Sequence, residues 1–307
     1  MPISIHDVSL RQLQYAVAVA DSLGFHKAAG ACHVSQPTLS AQVKQLEDVL
    51  GVRLFERDRK RVLVTRAGEE LVARARRVLV EVADLAAAAE RLRDPFAGTL
   101  RVGVIPTIAP YLLPDVTPAL VKKWPALALA FREEKTADVV RDLEEGRLEA
   151  GIVALEADLG DLAHEVIGKD PFVVAMPKRS PLAKKARVEL ADLDGETVLL
   201  LDEGHCFRTQ ALALCERAGA RENEFRATSL ATLAQMVTSG AGVTLLPSIA
   251  VAVENRRGQL EIRPFVAPAP TRTLAIVFRK SSPLAKTLRA IAAAMRERLT
   301  SRRASRP

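Results

Sequence analysis

The spacing of apolar residues changes character along the chain, and each change predicts a different element. Leu10 to Ser22 carries Leu13, Val17 and Ala20 at helical spacing, and Phe25 to Cys32 reads as a second, short, Ala-rich helix. His33-Val34 makes a turn. Ser35 can cap a third helix through its hydroxyl, and Pro37 is tolerated in that first turn, where an N–H would have no helical partner. Leu39, Val43, Leu46 and Leu50 recur at intervals of 4, 3 and 4 and predict one buried stripe, which Gly51 ends. The other face presents Gln36, Thr38, Ser40, Gln42 and Gln45, side chains able to hydrogen-bond base edges, although a solvated face has the same composition. Arg53 to Thr65 predicts two short strands around a basic tip, Arg57 to Arg61, a hairpin suited to phosphates. Together these elements describe a winged helix-turn-helix.

Between Thr65 and Arg93, Leu71, Ala75, Val78, Val82, Leu85, Ala89 and Leu92 alternate at 4 and 3, and Val72, Leu79 and Ala86 widen the seam. This spacing predicts a helix about 40 Å long that pairs with a second copy and also serves as a linker. The competing reading is a helix packed on its own domain. Beyond Thr99 the texture is α/β. Strands are predicted at Thr99–Ile105, Leu127–Phe131 and Glu149–Val153, with helices at Leu112–Trp124 and Thr136–Leu148. That alternation argues a parallel sheet with crossover helices. A second sheet segment takes in Phe172–Met176, Thr197–Leu201 and Val243–Leu246. Leu274–Phe278 reads as a strand returning to the first subdomain, and Pro283–Leu299 as a terminal helix.

The fold class is therefore α/β: a winged helix-turn-helix over 1–65, a linker helix over 66–96, and a two-lobed, periplasmic-binding-protein-like regulatory domain over 97–307. Lobe I takes about 97–168 and 268–307, lobe II about 169–267.

Composition narrows the class. With 307 residues, 49% hydrophobic and 26% charged, the chain has material for sizeable cores, which excludes disordered and disulfide-scaffold proteins. Aromatic residues at 4% argue against a platform for stacking single-stranded bases. The net charge of +7 points to an anionic partner, but it is unevenly placed. Residues 1–96 carry 14 basic and 12 acidic residues, 97–271 carry 20 and 24, and 272–307 carry 10 and 1. The charge useful to nucleic acid is local: Arg53 to Arg66 holds six basic and two acidic residues. The longest nearly unbroken apolar run, Ala241 to Val253, is broken by Pro247 and shorter than the roughly 20 residues a membrane span needs. With no leader pattern at Met1 to Gln12, the expected compartment is the cytoplasm, where three cysteines are not a structural framework. One histidine beside two cysteines, without paired Cys-x-x-Cys spacing, is a poor zinc site, so neither metal nor cofactor is expected.

Particular motifs resemble a known family. Ala28-Ala29, Val34-Ser-Gln-Pro-Thr-Leu-Ser40, Gln45-Leu-Glu-Asp-Val-Leu-Gly-Val52, Leu54-Phe-Glu-Arg57 and Leu63-Val-Thr-Arg-Ala-Gly68 are similar to the DNA-binding and linker region of LysR-type transcriptional regulators. Gly103–Pro114, Gly204-His-Cys-Phe-Arg-Thr-Gln-Ala-Leu-Ala-Leu-Cys215, Phe225–Leu230 and Gly242–Pro247 resemble the peroxide-sensing OxyR branch of that family. The resemblance runs over nearly the whole chain. It implies that Thr107 helps bind peroxide and that Thr136, His205, Arg208 and Arg272 line the same pocket. Thr209 departs from the pattern, since the best-known member has aspartate there.

Cys206 and Cys215 are nine residues apart, which on one helix is about 13.5 Å of rise and half a turn off in azimuth. A disulfide needs Cα atoms within about 7 Å, so the helix that Arg208 to Cys215 favours must unwind for the bond to form. His205 and Arg208 flank Cys206, and nearby cations favour a thiolate, whereas Cys215 sits between Leu214 and Glu216. Cys206 is thus expected to be peroxidatic and Cys215 resolving, an order the resemblance also implies. Cys32 reads as packed core.

The expected function is a regulator that senses hydrogen peroxide and controls antioxidant genes. Expected partners are double-stranded DNA, read by Ser35, Gln36, Pro37, Thr38, Ser40 and Gln42 and held by Arg57, Arg59, Lys60 and Arg61. Further partners are a second copy through the linker helix, RNA polymerase, and a thiol reductant that resets the cysteines; tetramers are usual in the family. The alternatives are a metabolite-sensing relative with idle cysteines and a thiol peroxidase. The peroxidase reading leaves the wing and linker helix without a role, and no nucleotide loop, metal set or carboxylate pair supports turnover.

Overall fold

The computed structural model of the chain describes residues 7–57, 62–91 and 94–304. It divides into two compact units, Met1–Glu90 and Arg91–Pro307.

In the first unit, α1 (Leu10–Ser22) opens with a capping box between Ser9 and Gln12. Helix α2 (Phe25–Ala31) packs on it, and α3 (Gln36–Leu50) follows the turn. Ser35 accepts the N–H of Thr38 at 3.3 Å, and Gly51 ends α3 in the left-handed region at φ 68°. Leu39, Val43 and Leu46 are the buried stripe, joined by Tyr15, Val19, Phe25 and Phe55. Strands β1 (Phe55–Arg57) and β2 (Val62–Val64) pair antiparallel as the wing. Glu47 of α3 fixes the wing's base, its Oε1 accepting the N–H groups of Leu54 at 2.8 Å and Phe55 at 3.1 Å.

Helix α4 (Arg66–Arg91) begins one residue later than the pattern predicts, because Thr65 is spent on its start. The Thr65 hydroxyl accepts the N–H of Gly68 at 2.9 Å and donates to the Arg53 carbonyl at 2.7 Å. The seam divides. Val72 and Ala75 are buried and Leu71 packs on the first unit's core, as a helix packed on its own domain would; Val78, Val82 and Leu85 are exposed.

In the second unit, β3 (Gly98–Val104), α5 (Ala109–Lys123), β4 (Leu127–Glu133), α6 (Thr136–Glu144) and β5 (Ala150–Ala154) form the first lobe's β/α alternation. The 16-residue β6 (Leu162–Pro177) then crosses to the second lobe. There β7 (Thr197–Leu201), α7 (Cys206–Ala218), β8 (Arg221–Ala227), α8 (Leu230–Thr238), β9 (Val243–Pro247), α9 (Val251–Glu254) and β10 (Leu260–Pro264) follow. Strand β11 (Thr271–Arg279) returns, and α10 (Ala285–Ala304) closes the chain. The strand order is β4-β3-β5-β11-β6-β9-β7-β8, with β10 also on β6.

Strands β3, β4 and β5 pair parallel, as the alternation over Thr99–Val153 predicts, but the sheet as a whole is mixed. Pairs β3–β4, β3–β5, β7–β8 and β7–β9 are parallel, but β6 and β11 run antiparallel to each other and to β9 and β5 respectively. An apolar run carries no direction, so the two crossing strands could not be oriented from pattern. Leu100, Val104, Ile152 and Leu288 belong to one lobe's core, and Val174, Leu199, Phe207 and Leu245 to the other. Side chains cross between lobes: Tyr111 of α5 sits in the second core, Cys206 of α7 packs on the first, and Ile249 packs on both.

Gly68 lies where α4 meets the wing, and a Cβ there would stand 2.2 Å from the Leu54 carbonyl oxygen. Gly68→Ala is therefore expected to cost about 1–3 kcal/mol. The measurement is the urea midpoint by circular dichroism, and an unchanged midpoint would show that the wing shifts freely.

Candidate redox site and DNA-binding face

Helix α7 begins at Cys206, and its two ends differ. His205 at the N-cap makes no side-chain hydrogen bond to the first turn, so that turn's N–H groups lack side-chain capping. At the other end Gly219, left-handed at φ 75°, donates its N–H to the carbonyls of Cys215 and Glu216. The Ala220 N–H reaches the Cys215 carbonyl at 3.0 Å. The helix is capped by backbone hydrogen bonds at its C-terminus and has no side-chain cap at Cys206.

Both cysteines carry free thiols. Cys206 is half-buried against the first lobe, whereas Cys215, 2% exposed, belongs to the second lobe's core. Burial, with the carboxylates of Glu222 and Glu216, pushes the Cys215 thiol up to about 11. The helix is continuous from Cys206 to Ala218.

Beside the start of α7 lies a buried polar cluster. Arg272 of β11 is fully buried. Its Nε donates to Asp170 Oδ2 at 3.0 Å, its Nη1 to Thr107 Oγ1 at 2.7 Å and its Nη2 to the Thr107 carbonyl at 2.9 Å. Asp170, equally buried on β6, accepts from Ser248 Oγ at 2.9 Å and the Ile249 N–H at 3.1 Å through its other oxygen. The ring of Phe207, the residue after Cys206, lies 5.4 Å from the guanidinium carbon. Thr107 thus serves Arg272 and does not cap α5, whose N-cap is Ile108.

Thr136, the first residue of α6, is buried with its hydroxyl unpartnered, and so are both polar atoms of the Gln210 amide, one helical turn beyond Cys206. Gln210 and Asp170 were not singled out from sequence. The usable signals were a turn's spacing from Cys206 and an aspartate placed just before a run of apolar strand residues.

His205 is buried, and burial first, then Lys135, lower its proton affinity against the opposing pull of Asp202. The Lys135 ammonium donates to the Glu203 carbonyl at 2.8 Å. Arg208 is directed elsewhere: its Nη1 donates to Glu222 Oε1 at 2.6 Å and the Leu201 carbonyl at 3.2 Å. Of the two cationic residue types flanking Cys206 in sequence, His205 is pushed toward its neutral form by burial and Arg208 bonds Glu222, while Cys206 itself is the first residue of α7. Thr209 is exposed.

On the first unit, Ser35, Gln36, Pro37 and Thr38 are exposed, and Ser40 and Gln42 are partly so. Gln42 donates to Gln45 at 3.4 Å. Arg57 ends β1, while Arg59, Lys60 and Arg61 lie outside the described residues. Among the described residues no helix is long and apolar enough to cross a membrane.

Comparison with known proteins agrees with this geometry. The family model of bacterial regulatory helix-turn-helix proteins of the lysR family matches residues 10–69, and that of the LysR substrate binding domain matches 93–300. The chain is 42% identical over 293 residues to the DNA-binding transcriptional dual regulator OxyR of Escherichia coli K12, covering 95% of this chain and 96% of the relative. It is 42% identical over 304 residues to a probable hydrogen peroxide-inducible genes activator of Mycobacterium avium, covering 98% and 97%. A full-length OxyR cysteine variant from Pseudomonas aeruginosa superposes with a TM-score of 0.78 at 39% identity, covering 94% of this chain and 95% of that one. A hydrogen peroxide-bound OxyR cysteine mutant from Corynebacterium glutamicum gives 0.66 at 31% identity, covering 95% and 93%. The chain belongs to the LysR family of bacterial transcriptional regulators, within its OxyR-type group of hydrogen peroxide-inducible activators.

Proposed function

We propose that this regulator senses hydrogen peroxide through Cys206 and Cys215 and transmits the change to DNA. The observation that carries the reading is α7 itself. Its first residue is a half-buried cysteine, its second, Phe207, lies against Arg272 of the Thr107–Arg272 cluster, and the same helix holds a second cysteine in the core. The Cys206 thiolate attacks one peroxide oxygen, the O–O bond breaks, and the departing hydroxide takes a proton and leaves as water, giving a sulfenic acid. Thr107 Oγ1 accepts from Arg272, which leaves its O–H to donate to the bound peroxide. The Cys215 sulfur, as thiolate, then attacks the Cys206 sulfur. The S–S bond forms, and hydroxide again leaves as water once protonated. A thiol reductant returns two electrons and two protons to restore both thiols.

The second step demands refolding, since nine helical residues separate the two Cα atoms by about 13.5 Å along the axis. The helix-turn-helix and linker helix, which a peroxidase would leave without a role, favour a sensor. In our reading residues 1–65 bind double-stranded DNA, 66–96 link and pair copies through the exposed Val78–Leu85 seam, and 97–307 sense. RNA polymerase is the partner of the DNA-bound oligomer, tetramers are the family's usual assembly, and the cytoplasm is the compartment. Helix α3 presents Ser35, Gln36, Thr38, Ser40 and Gln42 to base edges, and the wing's Arg57, Arg59, Lys60 and Arg61 hold phosphates.

Mass spectrometry after brief peroxide treatment is expected to show a Cys206–Cys215 crosslink. Cys206→Ser should abolish the response with DNA binding intact, and Cys215→Ser should stop at the sulfenic acid; a Cys206→Ser variant that still switches would reject the assignment. Without oxidant, alkylation at pH 8 should modify Cys206 far ahead of Cys215. Raising a thiol from 9.0 to about 11 cuts its thiolate fraction at that pH about 100-fold, before burial is counted. Equal labelling would mean α7 is open already. Replacing Arg59 or Lys60 should weaken binding to all DNA sequences alike and reduce the salt slope by about 1; a loss confined to one base position would contradict a phosphate role.

A further inference from the structure

We propose that Asp170 is a positioning residue of the peroxide site: it orients Arg272 so that Thr107 presents its hydroxyl hydrogen to the oxidant. This rests on the peroxide-sensing reading above. The contacts divide the guanidinium cleanly. Asp170 Oδ2 takes Nε at 3.0 Å and also stands 3.0 Å from Nη2, while Nη1 and Nη2 go to the hydroxyl and carbonyl of Thr107. A guanidinium is a rigid planar fork, so fixing its Nε edge fixes the direction of both Nη groups. Rotating it by tens of degrees would free Thr107 Oγ1 to accept elsewhere and release the direction of its O–H.

Asp170 is itself immobilised. Its second oxygen accepts from the Ser248 hydroxyl and the Ile249 N–H, both in the turn after β9, and neither residue of the pair is exposed to water. A fully buried cation without its counter-ion must find other acceptors or draw in water, and Thr107 is its only other hydrogen-bonding partner among the described residues. Asp170 touches neither cysteine nor peroxide in this scheme; it acts through Arg272. Its loss should therefore slow reaction with hydrogen peroxide, which needs a donor for the departing oxygen, more than reaction with an alkylating agent, which does not.

The test compares Cys206 in the full-length wild-type and Asp170→Asn proteins, measuring second-order rates with hydrogen peroxide and with iodoacetamide by quenching and mass spectrometry. In Asp170→Asn the peroxide rate is expected to fall about tenfold or more with the iodoacetamide rate within about threefold of wild type. Equal slowing with both reagents would show a merely structural role and overturn the proposal. An unchanged peroxide rate in the variant, with wild type reactive, would overturn it alone; a wild-type Cys206 inert to peroxide would overturn the sensing reading and this proposal together. If Asp170→Asn does not fold, Ser248→Ala decides. It keeps both charges and removes one anchor, and a smaller but peroxide-selective loss supports the proposal, whereas wild-type rates with both reagents overturn it.

Discussion

A guanidinium with no exposure to water must have every strong partner supplied by the protein, and that constraint organises the regulatory domain. Arg272 sits on β11, one of the two strands crossing between lobes, and its counter-ion Asp170 sits on the other, β6. The remaining donors reach Thr107 in the first lobe, and the remaining carboxylate oxygen holds the turn after β9 in the second. Removing either charge would strand the other in the interior, at a cost of about 3–5 kcal/mol by analogy with broken buried pairs. The pair is therefore a poor place for variation and a good place from which to aim a site. Phe207 places its ring over the same guanidinium, so the first turn of α7 rests on the cluster.

The asymmetry of α7 then has a clear consequence. Its C-terminus is held by the Gly219 cap and by Cys215 in the core, while its N-terminus has no side-chain cap and contributes Cys206 to the opposite lobe's packing. Local opening follows the weaker end. Unwinding from Cys206 would draw Phe207 off Arg272 and withdraw a contact joining the lobes. In the proposed reading, a chemical event at one sulfur would reach the lobe geometry through these packed side chains.

Much of this was legible in the sequence, for identifiable reasons. Helix α1, strand β7 and the α3 stripe of Leu39, Val43 and Leu46 emerged because one periodicity and one cap governed each. Strands β8 and β10 did not, because Arg221–Ala227 and Leu260–Pro264 are polar or short and borrow their order from neighbours. The first half of β6 was hidden for the same reason, its exposed positions interrupting the apolar run that starts at Phe172. At the site, sequence named Cys206, Cys215, Thr107 and Arg272, and the structure joins the last two by a hydrogen bond; Arg208, named both for its place beside Cys206 and by resemblance, bonds Glu222. Asp170 bonds a residue 102 positions away and Gln210 lies one helical turn from Cys206, and single-sequence reading carries neither.

The packing also bears on how readily a Cys206–Cys215 disulfide would form and be reduced. Such a bond forbids the α7 seen here, so whatever burial the helix loses on unwinding is subtracted from the stability of the oxidised form. Phe207 is 2% exposed, and fully burying such a ring contributes about 1.5–3 kcal/mol. For a two-electron couple 30 mV corresponds to about 1.4 kcal/mol, so uncovering Phe207 without a new site would raise the reduction potential by roughly 30–65 mV. Cys215 leaving its own pocket adds in the same direction. In the proposed mechanism, a core that keeps Phe207 and Cys215 well packed in the helical state would therefore favour reduction, and the oxidised fold would be favoured to the extent that it finds a second burial site for Phe207.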